Sequence, residues 1–306
     1  NLLVVGGTIV SIFKRENPYD PLFWKVENGT DIDEFDDFLD ILEKNTTLKK
    51  LIYKPDLLDG KQKYQYNLSI EDKYFYNFSF NFTTIRNVVF ANCSFEYVKF
   101  REAKFVDCQF RNCKFIKCNF LDANFVRVLI DPTSFKECLD KKLHSNIGVK
   151  LYQKLLKNYR DEDQPEYERY AQYQFYKWKR YQDWRDISDD KKSPWERFLK
   201  FCNWGAKYFL DYFNGFGLKF WRTFRSLLII ILVFSYINFY FKFEFGLCLE
   251  TYWDSIYFTT ISMTTLGYGD ITPSQLAGKL FASFQTVVGF LFFGLVASVL
   301  FRRVAP

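Results

Sequence analysis

Phenylalanine recurs at every fifth position through the middle of the chain. Counting from Ile70, the register holds Phe75, Phe80, Ile85, Phe90, Phe95, Phe100, Phe105, Phe110, Phe115, Phe120, Phe125, Ile130 and Phe135, fourteen positions of which eleven are phenylalanine. Two residues before each, from the fourth position on, sits a small or β-branched residue, as at Thr83, Val88, Cys93, Val98, Ala103 and Cys108. A period of five is not an α-helical stripe, because each step turns about 140° past a full circle and scatters the rings. Nor is it strand alternation, whose period is 2. It fits a short extended piece in which residues two apart face the same way, followed by a two-residue corner. Cys113 and Phe115 then point inward and Lys114 outward.

This ladder resembles the pentapeptide-repeat family, which implies a right-handed quadrilateral β-helix with four repeats per coil. The match runs from Ile70 to about Cys138 and covers roughly three and a half coils. Cys93 and Cys113 are 20 residues apart, as are Cys118 and Cys138, so each pair falls on one face in successive coils. Alanine and valine fill the equivalent slots, so these thiols read as small inward fillers rather than metal ligands. Free thiols also suit a reducing cytosol. Some members of the family are acidic rods that mimic DNA. Between Ile70 and Phe135 there are nine Lys/Arg and seven Asp/Glu, the wrong sign for mimicry. The outward charges alternate, which argues against a nucleic-acid patch.

The last third has another character. Leu280 to Phe301 is a run of 22 uncharged residues ending at Arg302 and Arg303, and Ser226 to Phe241 is a run of 16 between Arg225 and Lys242. The longer run spans roughly the 30 Å hydrocarbon core at 1.5 Å per residue. Flanking Arg and Lys stems extend the shorter one. Between them Ser255 to Gly269 is uncharged, too short to cross, and ends in Gly-Tyr-Gly. Irregular backbone at membrane depth survives only where protein or a water-filled cavity surrounds it. Span, re-entrant dip and span is the arrangement of a pore. Arg222, Arg225, Arg302 and Arg303 place both flanks in the cytoplasm by the positive-inside tendency, with the dip entered from outside.

Ser262-Met263-Thr264-Thr265-Leu266-Gly267-Tyr268-Gly269-Asp270 resembles the selectivity filter of potassium channels. The resemblance runs over roughly Arg225 to Arg303 and implies a two-transmembrane pore domain assembled as a homotetramer in the lipid bilayer. It implies K+ bound at Thr265, Leu266, Gly267 and Tyr268, with Gly269 completing the TLGYG filter. Oxygens must replace the ion's water at similar distances, and aiming successive carbonyls at one axis needs left-handed backbone, which Gly267 and Gly269 adopt freely. Tyr257 and Phe258 fall where these channels carry an aromatic pair bracing the filter, joined here by Thr264 and Asp270. Ile261 stands where some members have a carboxylate. Gly289 is the candidate gating hinge, a close helix contact being the equal alternative, and Gly294 reads as a packing residue. No regular row of arginines precedes the pore, so no voltage sensor is expected.

Residues 148–184 read as a helical hairpin broken by the polar stretch from Asp161 to Pro165, able to cap the open end of the β-helix. Trp195 to Phe220 reads as an interfacial amphipathic helix that breaks near Gly215-Phe216-Gly217. Leu2 to Phe13 suggests a strand pair around Gly6-Gly7, without the charged start and cleavage site of a signal peptide. Asp31 to Lys44 suggests an acidic helix with Ile32, Phe35, Phe38, Leu39 and Leu42 on one face. Asp31-Ile32-Asp33 lacks the glycine and later ligands of a calcium loop.

The expected organisation is a small segment of unknown role over residues 1–60, a β-helix over 65–140, a helical cap or connector over 141–194, an interfacial helix over 195–222 and a pore over 223–306. The expected function is a potassium-selective channel in the plasma or inner membrane. The N-terminal and repeat domains are cytoplasmic, with gating or assembly through the repeat domain and an unidentified cytosolic ligand or partner. One histidine in 306 residues and no nucleophile–base pair leave no enzyme to argue for. No organic cofactor is implied. A nonselective cation pore and a membrane-anchored scaffold are the alternatives.

Overall fold

The computed structural model describes residues 4–5, 8–9, 20–63, 66–187 and 193–304. It divides into two compact units, Asn1–Asp189 and Asp190–Pro306. In the first, Val4–Val5 pairs antiparallel with Thr8–Ile9. The rest of the expected pair from Leu2 to Phe13 lies outside the described residues.

The five-residue ladder folds into a parallel β-solenoid of about five turns. One face stacks Leu68–Glu71, Val88–Ala91, Gln109–Arg111 and Leu129–Ile130, and a second stacks Thr47–Lys49, Tyr74–Tyr76, Ser94–Glu96 and Lys114–Ile116. A third stacks Leu57–Asp59, Thr84–Arg86, Lys104–Val106 and Asn124–Val126. Single bridges through Ser79, Lys99 and Asn119 make the fourth. The register is 20 residues, so Phe95 lies between Phe75 and Phe115. Their rings stack at 4.9 and 5.0 Å, nearly parallel. Phenylalanine persists because each ring meets its own kind above and below, adding offset-stacking to full burial.

The corners hold a regularity that composition conceals. Every fifth residue from Asp72 to Arg127 has positive φ, and none is glycine. Seven of these twelve are Asn or Asp, which tolerate the left-handed region; Phe82, Tyr97, Glu102, Lys117 and Arg127 do not favour it. The hydrogen-bond ladder continues through the corners. Asn77 N donates to Glu96 O, and Tyr97 N to Ile116 O.

The stack begins earlier than Ile70. Leu48 pairs with Phe75 and Leu58 with Ile85, 27 residues apart rather than 20. Leu48, Tyr53 and Leu58 keep the five-residue spacing and are buried, but the coil is lengthened after Gly60, so they fall out of register with the ladder that starts at Ile70. Residues 47–59 therefore belong to the solenoid, ahead of the expected boundary at residue 65.

Both ends are closed. Helix α1 (Pro21–Trp24) lies on the fourth face, where Asn119 Nδ2 donates to Phe23 O at 3.4 Å and Phe23 stacks on His144 at 3.8 Å. The expected acidic helix is α2 (Phe35–Lys44), and Ile32 instead ends a strand, Thr30–Ile32, paired with Leu51–Tyr53. Phe38 of α2 packs on Tyr53, Phe78 and Phe80. At the other end α3 (Ser145–Asp161) and α4 (Pro165–Ile187) form the expected hairpin. Ile147, Leu151, Leu155 and Tyr159, at helical spacing, are buried on α3.

The second unit is helical, with α5 (Pro194–Asn214), α6 (Phe220–Tyr240), α7 (Lys242–Phe245), α8 (Tyr252–Met263) and α9 (Leu276–Val304). Two segments, Phe220–Tyr240 and Leu276–Phe301, are long and apolar enough to cross a membrane, and less than a third of the apolar stretch in each is buried within the single chain. At 12 residues α8 is too short to cross. Helix α5 ends where expected, with Gly215, Phe216 and Gly217 all at positive φ. The elbow into α6 is stitched: Arg222 meets Asp211 at 2.6 Å, Arg225 donates to Tyr212 O at 2.9 Å, and Ser226 donates to Phe213 O. Side chains of α6 thereby occupy carbonyls left open at the end of α5.

Candidate functional site

The segment after α8 is built from that helix outward. Thr251 and Asp254 form a reciprocal cap at its start, with Thr251 N donating to Asp254 Oδ2 at 2.7 Å. At its end, Thr264 N donates to Thr260 O at 2.9 Å and Thr265 N to Ser262 O at 3.2 Å. Leu266 N and Gly267 N then both donate to Ile261 O, at 3.0 and 3.3 Å. The amides of the expected filter thus turn back into the last turn of α8. Its carbonyls are left over: among the described residues no backbone amide donates to the oxygen of Thr265, Leu266, Gly267 or Tyr268.

The backbone alternates in hand here. Thr265, Gly267 and Gly269 have φ of 60°, 51° and 81°, while Leu266 and Tyr268 between them do not enter the left-handed region. Sequence reasoning placed this freedom at the two glycines; Thr265 shares it, a position no residue type announces. A Cβ at Gly267 or Gly269 would meet nothing within 4 Å, so glycine is required there by φ and not by crowding. The helix C-terminus adds partial negative charge beside these oxygens, which favours a cation.

The two aromatic neighbours divide. Tyr257 Oη donates to Asp270 Oδ2 at 2.8 Å, bracing the far end of the segment from α8. Phe258 is buried with Leu247 and Leu249, on the loop that leads into α8. Thr264 donates its hydroxyl to Thr260 O at 2.8 Å. Gly289 lies against Met263, the last residue of α8, and a Cβ there would overlap the Met263 carbonyl oxygen. Helix α9 runs unbroken through Gly289. Gly294 has nothing within 4 Å of a Cβ position, so within one chain it packs against nothing.

A buried polar cluster went unread in the sequence. Asn238 of α6, Thr259 of α8 and Gln285 of α9 are all buried, and the Asn238 amide donates to Thr259 Oγ1 at 2.9 Å and to Gln285 Oε1 at 2.8 Å. Asn238 and Gln285 carry no charge, so they leave an uncharged run intact. The available signal was their type, strong hydrogen-bonding amides inside segments otherwise apolar.

In the solenoid each inward thiol faces carbonyls, as where Cys93 Sγ lies 3.3 Å from Ile70 O and Cys118 Sγ 3.2 Å from Phe95 O. Burial holds the Cys108 and Cys118 thiols high, up to about 11 and about 12. They are packing groups held in the protonated form.

Comparison with known proteins agrees with both halves of this geometry. Residues 226–305 match the family model described as ion channel, and residues 93–129 match that of pentapeptide repeats, in eight copies. A hyperpolarization-activated voltage-gated potassium channel of Methanocaldococcus jannaschii is 49% identical over 51 residues, 17% of this chain and 23% of the relative. Two-pore potassium channel 2 of Arabidopsis thaliana is 47% identical over 45 residues, 15% of this chain and 10% of the relative. Human potassium voltage-gated channel subfamily KQT member 3 is 41% identical over 51 residues, 17% and 6% of the two chains. The matched stretch thus spans less than a quarter of each of these relatives. The chain joins a pentapeptide-repeat solenoid to an ion-channel domain similar to parts of potassium channels.

Proposed function

We propose that this chain is one subunit of a homotetrameric potassium channel that conducts passively, with Thr265–Gly269 as its filter. The observation that carries the reading is the row of unpaired carbonyls at Thr265, Leu266, Gly267 and Tyr268, on a backbone of alternating hand, at the negative end of a short helix between two membrane-length helices. A single strand of oxygens cannot surround an ion. Several copies around one axis can, and the segment 265–270 is exposed on the single chain. Tyr257 and Asp270 then hold the outer mouth, and Thr264 and Phe258 secure the inner end and the back of the helix.

The flanking charges orient the pore with Arg222 and Arg225 on the cytoplasmic side, so the solenoid is cytoplasmic. Helix α5 lies in the membrane interface. Glu196, Lys200, Asn203, Lys207 and Asp211 share one side of it, while Trp195, Phe198, Phe201 and Phe209 are exposed on the others. A cytosolic ligand or partner acting on residues 1–60 or on the solenoid is the gating input.

Purified protein in potassium-loaded liposomes tests the reading. Potassium flux without sodium flux, blocked by barium and lost in Gly267→Ala, is the expected result. Equal sodium flux would mean a nonselective cation pore. Absence of flux under any gradient would mean a membrane-anchored scaffold.

A further inference from the structure

A buried polar cluster ties together the three helices α6, α8 and α9 of the second unit. The Asn238 amide donates both protons, to Thr259 Oγ1 at 2.9 Å and to Gln285 Oε1 at 2.8 Å, and Gln285 Nε2 donates to the Thr259 carbonyl at 3.3 Å. The ring closes twice on Thr259 and joins three helices. All three residues are buried, although neighbours on the same helices such as Tyr236, Phe284 and Val287 are exposed. Both long helices therefore turn their amide inward onto α8, where an unsatisfied amide in hydrocarbon would be costly.

The position of the ring gives it more than an adhesive role. Thr259 lies one turn before Met263, and Gln285 one turn before Gly289, the residue packed on Met263. Ile261, two residues after Thr259, supplies the carbonyl that receives the amides of Leu266 and Gly267. A tilt or rotation of α9 at Gln285 consequently pulls on the last turn of α8, from which the filter amides hang. We infer that Asn238, Thr259 and Gln285 are positioning residues that couple the inner helix α9 to the filter, so that helix movement and filter order change together.

The inference rests on the reading of Thr265–Gly269 as the ion path, but part of its test does not depend on conduction. Thr259→Val removes the hydroxyl at nearly constant volume, Thr259→Ser keeps it, and Gln285→Met is a milder cut should the first variant fold poorly. Ser255→Ala is the control. Its hydroxyl donates to Ser235 O at 2.6 Å, another bond between α6 and α8, but one that does not reach α9.

Hydrogen exchange on the full chain in lipid nanodiscs reads the Leu266 and Gly267 amides directly, and planar bilayers read open probability. Thr259→Val and Gln285→Met should speed exchange at those amides and shift the open–closed equilibrium, each on the order of 3- to 10-fold, the scale of a lost interhelical hydrogen bond in a membrane. Thr259→Ser should restore both, and Ser255→Ala should lower the melting temperature while moving neither. The coupling is overturned if Thr259→Val and Gln285→Met behave like Ser255→Ala. Exchange that changes in a protein that never conducts would keep the structural coupling and remove the proposed function.

Discussion

Gly289 of α9 sits against the Met263 backbone so closely that a single added methyl would overlap the Met263 carbonyl oxygen. That contact joins α9 to the last residue of α8, the helix that leads into the proposed filter. It makes Gly289 a close-packing residue in this conformation and leaves the hinge role a separate proposal.

Gly289→Ala should therefore destabilise the pore by about 1–3 kcal/mol, the usual range for overpacking. Thermal unfolding in detergent, read at the second unit, checks this. A residue that acted only as a hinge would give an unchanged melting temperature and an altered open probability.

The far end of the solenoid depends on Asn158. Its Oδ1 accepts from Val128 N at 3.0 Å and its Nδ2 donates to Val128 O at 2.8 Å, so one side chain imitates the next strand. Asn158→Leu fills similar space and leaves both backbone groups buried and unpaired, at about 1–3 kcal/mol each. Exchange of the Val128 amide should accelerate by at least tenfold, while that of Phe95, in the middle of the stack, stays slow.

The elbow between α5 and α6 is a mechanical joint. Arg222 and Asp211 meet at 2.6 Å with Asp211 nearly buried and Arg222 about one-third exposed. Removing the arginine leaves a carboxylate short of its cation, while partial exposure lowers the cost below that of a fully buried pair. Arg222→Ala should cost about 1–3 kcal/mol. Protease cleavage between residues 215 and 219 should become faster, and Arg222→Lys should lie between variant and parent.

Two basic groups near α1 set a pH response. Burial lowers the Lys99 ammonium from 10.5 to about 8, and its Nζ donates to Tyr97 O at 2.7 Å and to Asn77 Oδ1. Burial also lowers His144 below 6.5, and its Nδ1 accepts from Asp140 N at 3.3 Å. In each window the unfolded chain binds the proton that the native state releases, so stability rises with pH. For Lys99 the window lies between about 8 and 10.5, with the cost fully present below it. For His144 stability falls as pH drops below 6.5. Mild acid should therefore loosen Phe23 from its stack on His144 and expose residues 24–31 to protease. His144→Phe keeps the stack and should abolish that acid sensitivity.

Much of the architecture was legible in one dimension. The phenylalanine ladder, the uncharged runs, the breaks at Asp161 to Pro165 and at Gly215 to Gly217, and the Gly-Tyr-Gly segment are local signals. Spacing along the chain is enough to carry them, because a coil of fixed length repeats its inward positions and a bilayer of fixed thickness sets a minimum apolar length.

What remained was decided between residues far apart in sequence. Leu48 joins the stack across a lengthened coil, where the register with the later ladder is lost although the hydrogen bonds are kept. Five bulky or charged residues accept left-handed corners because the ladder on either side holds them there. Gly289 meets Met263, and Asn238 finds Thr259 and Gln285, through helix approach alone. The sequence by itself determined which segments form coils and spans, since periodicity and the absence of charge are properties of the chain. Steric approach and hydrogen-bond closure between helices leave no periodic trace, so only the tertiary structure decided which side chains couple them.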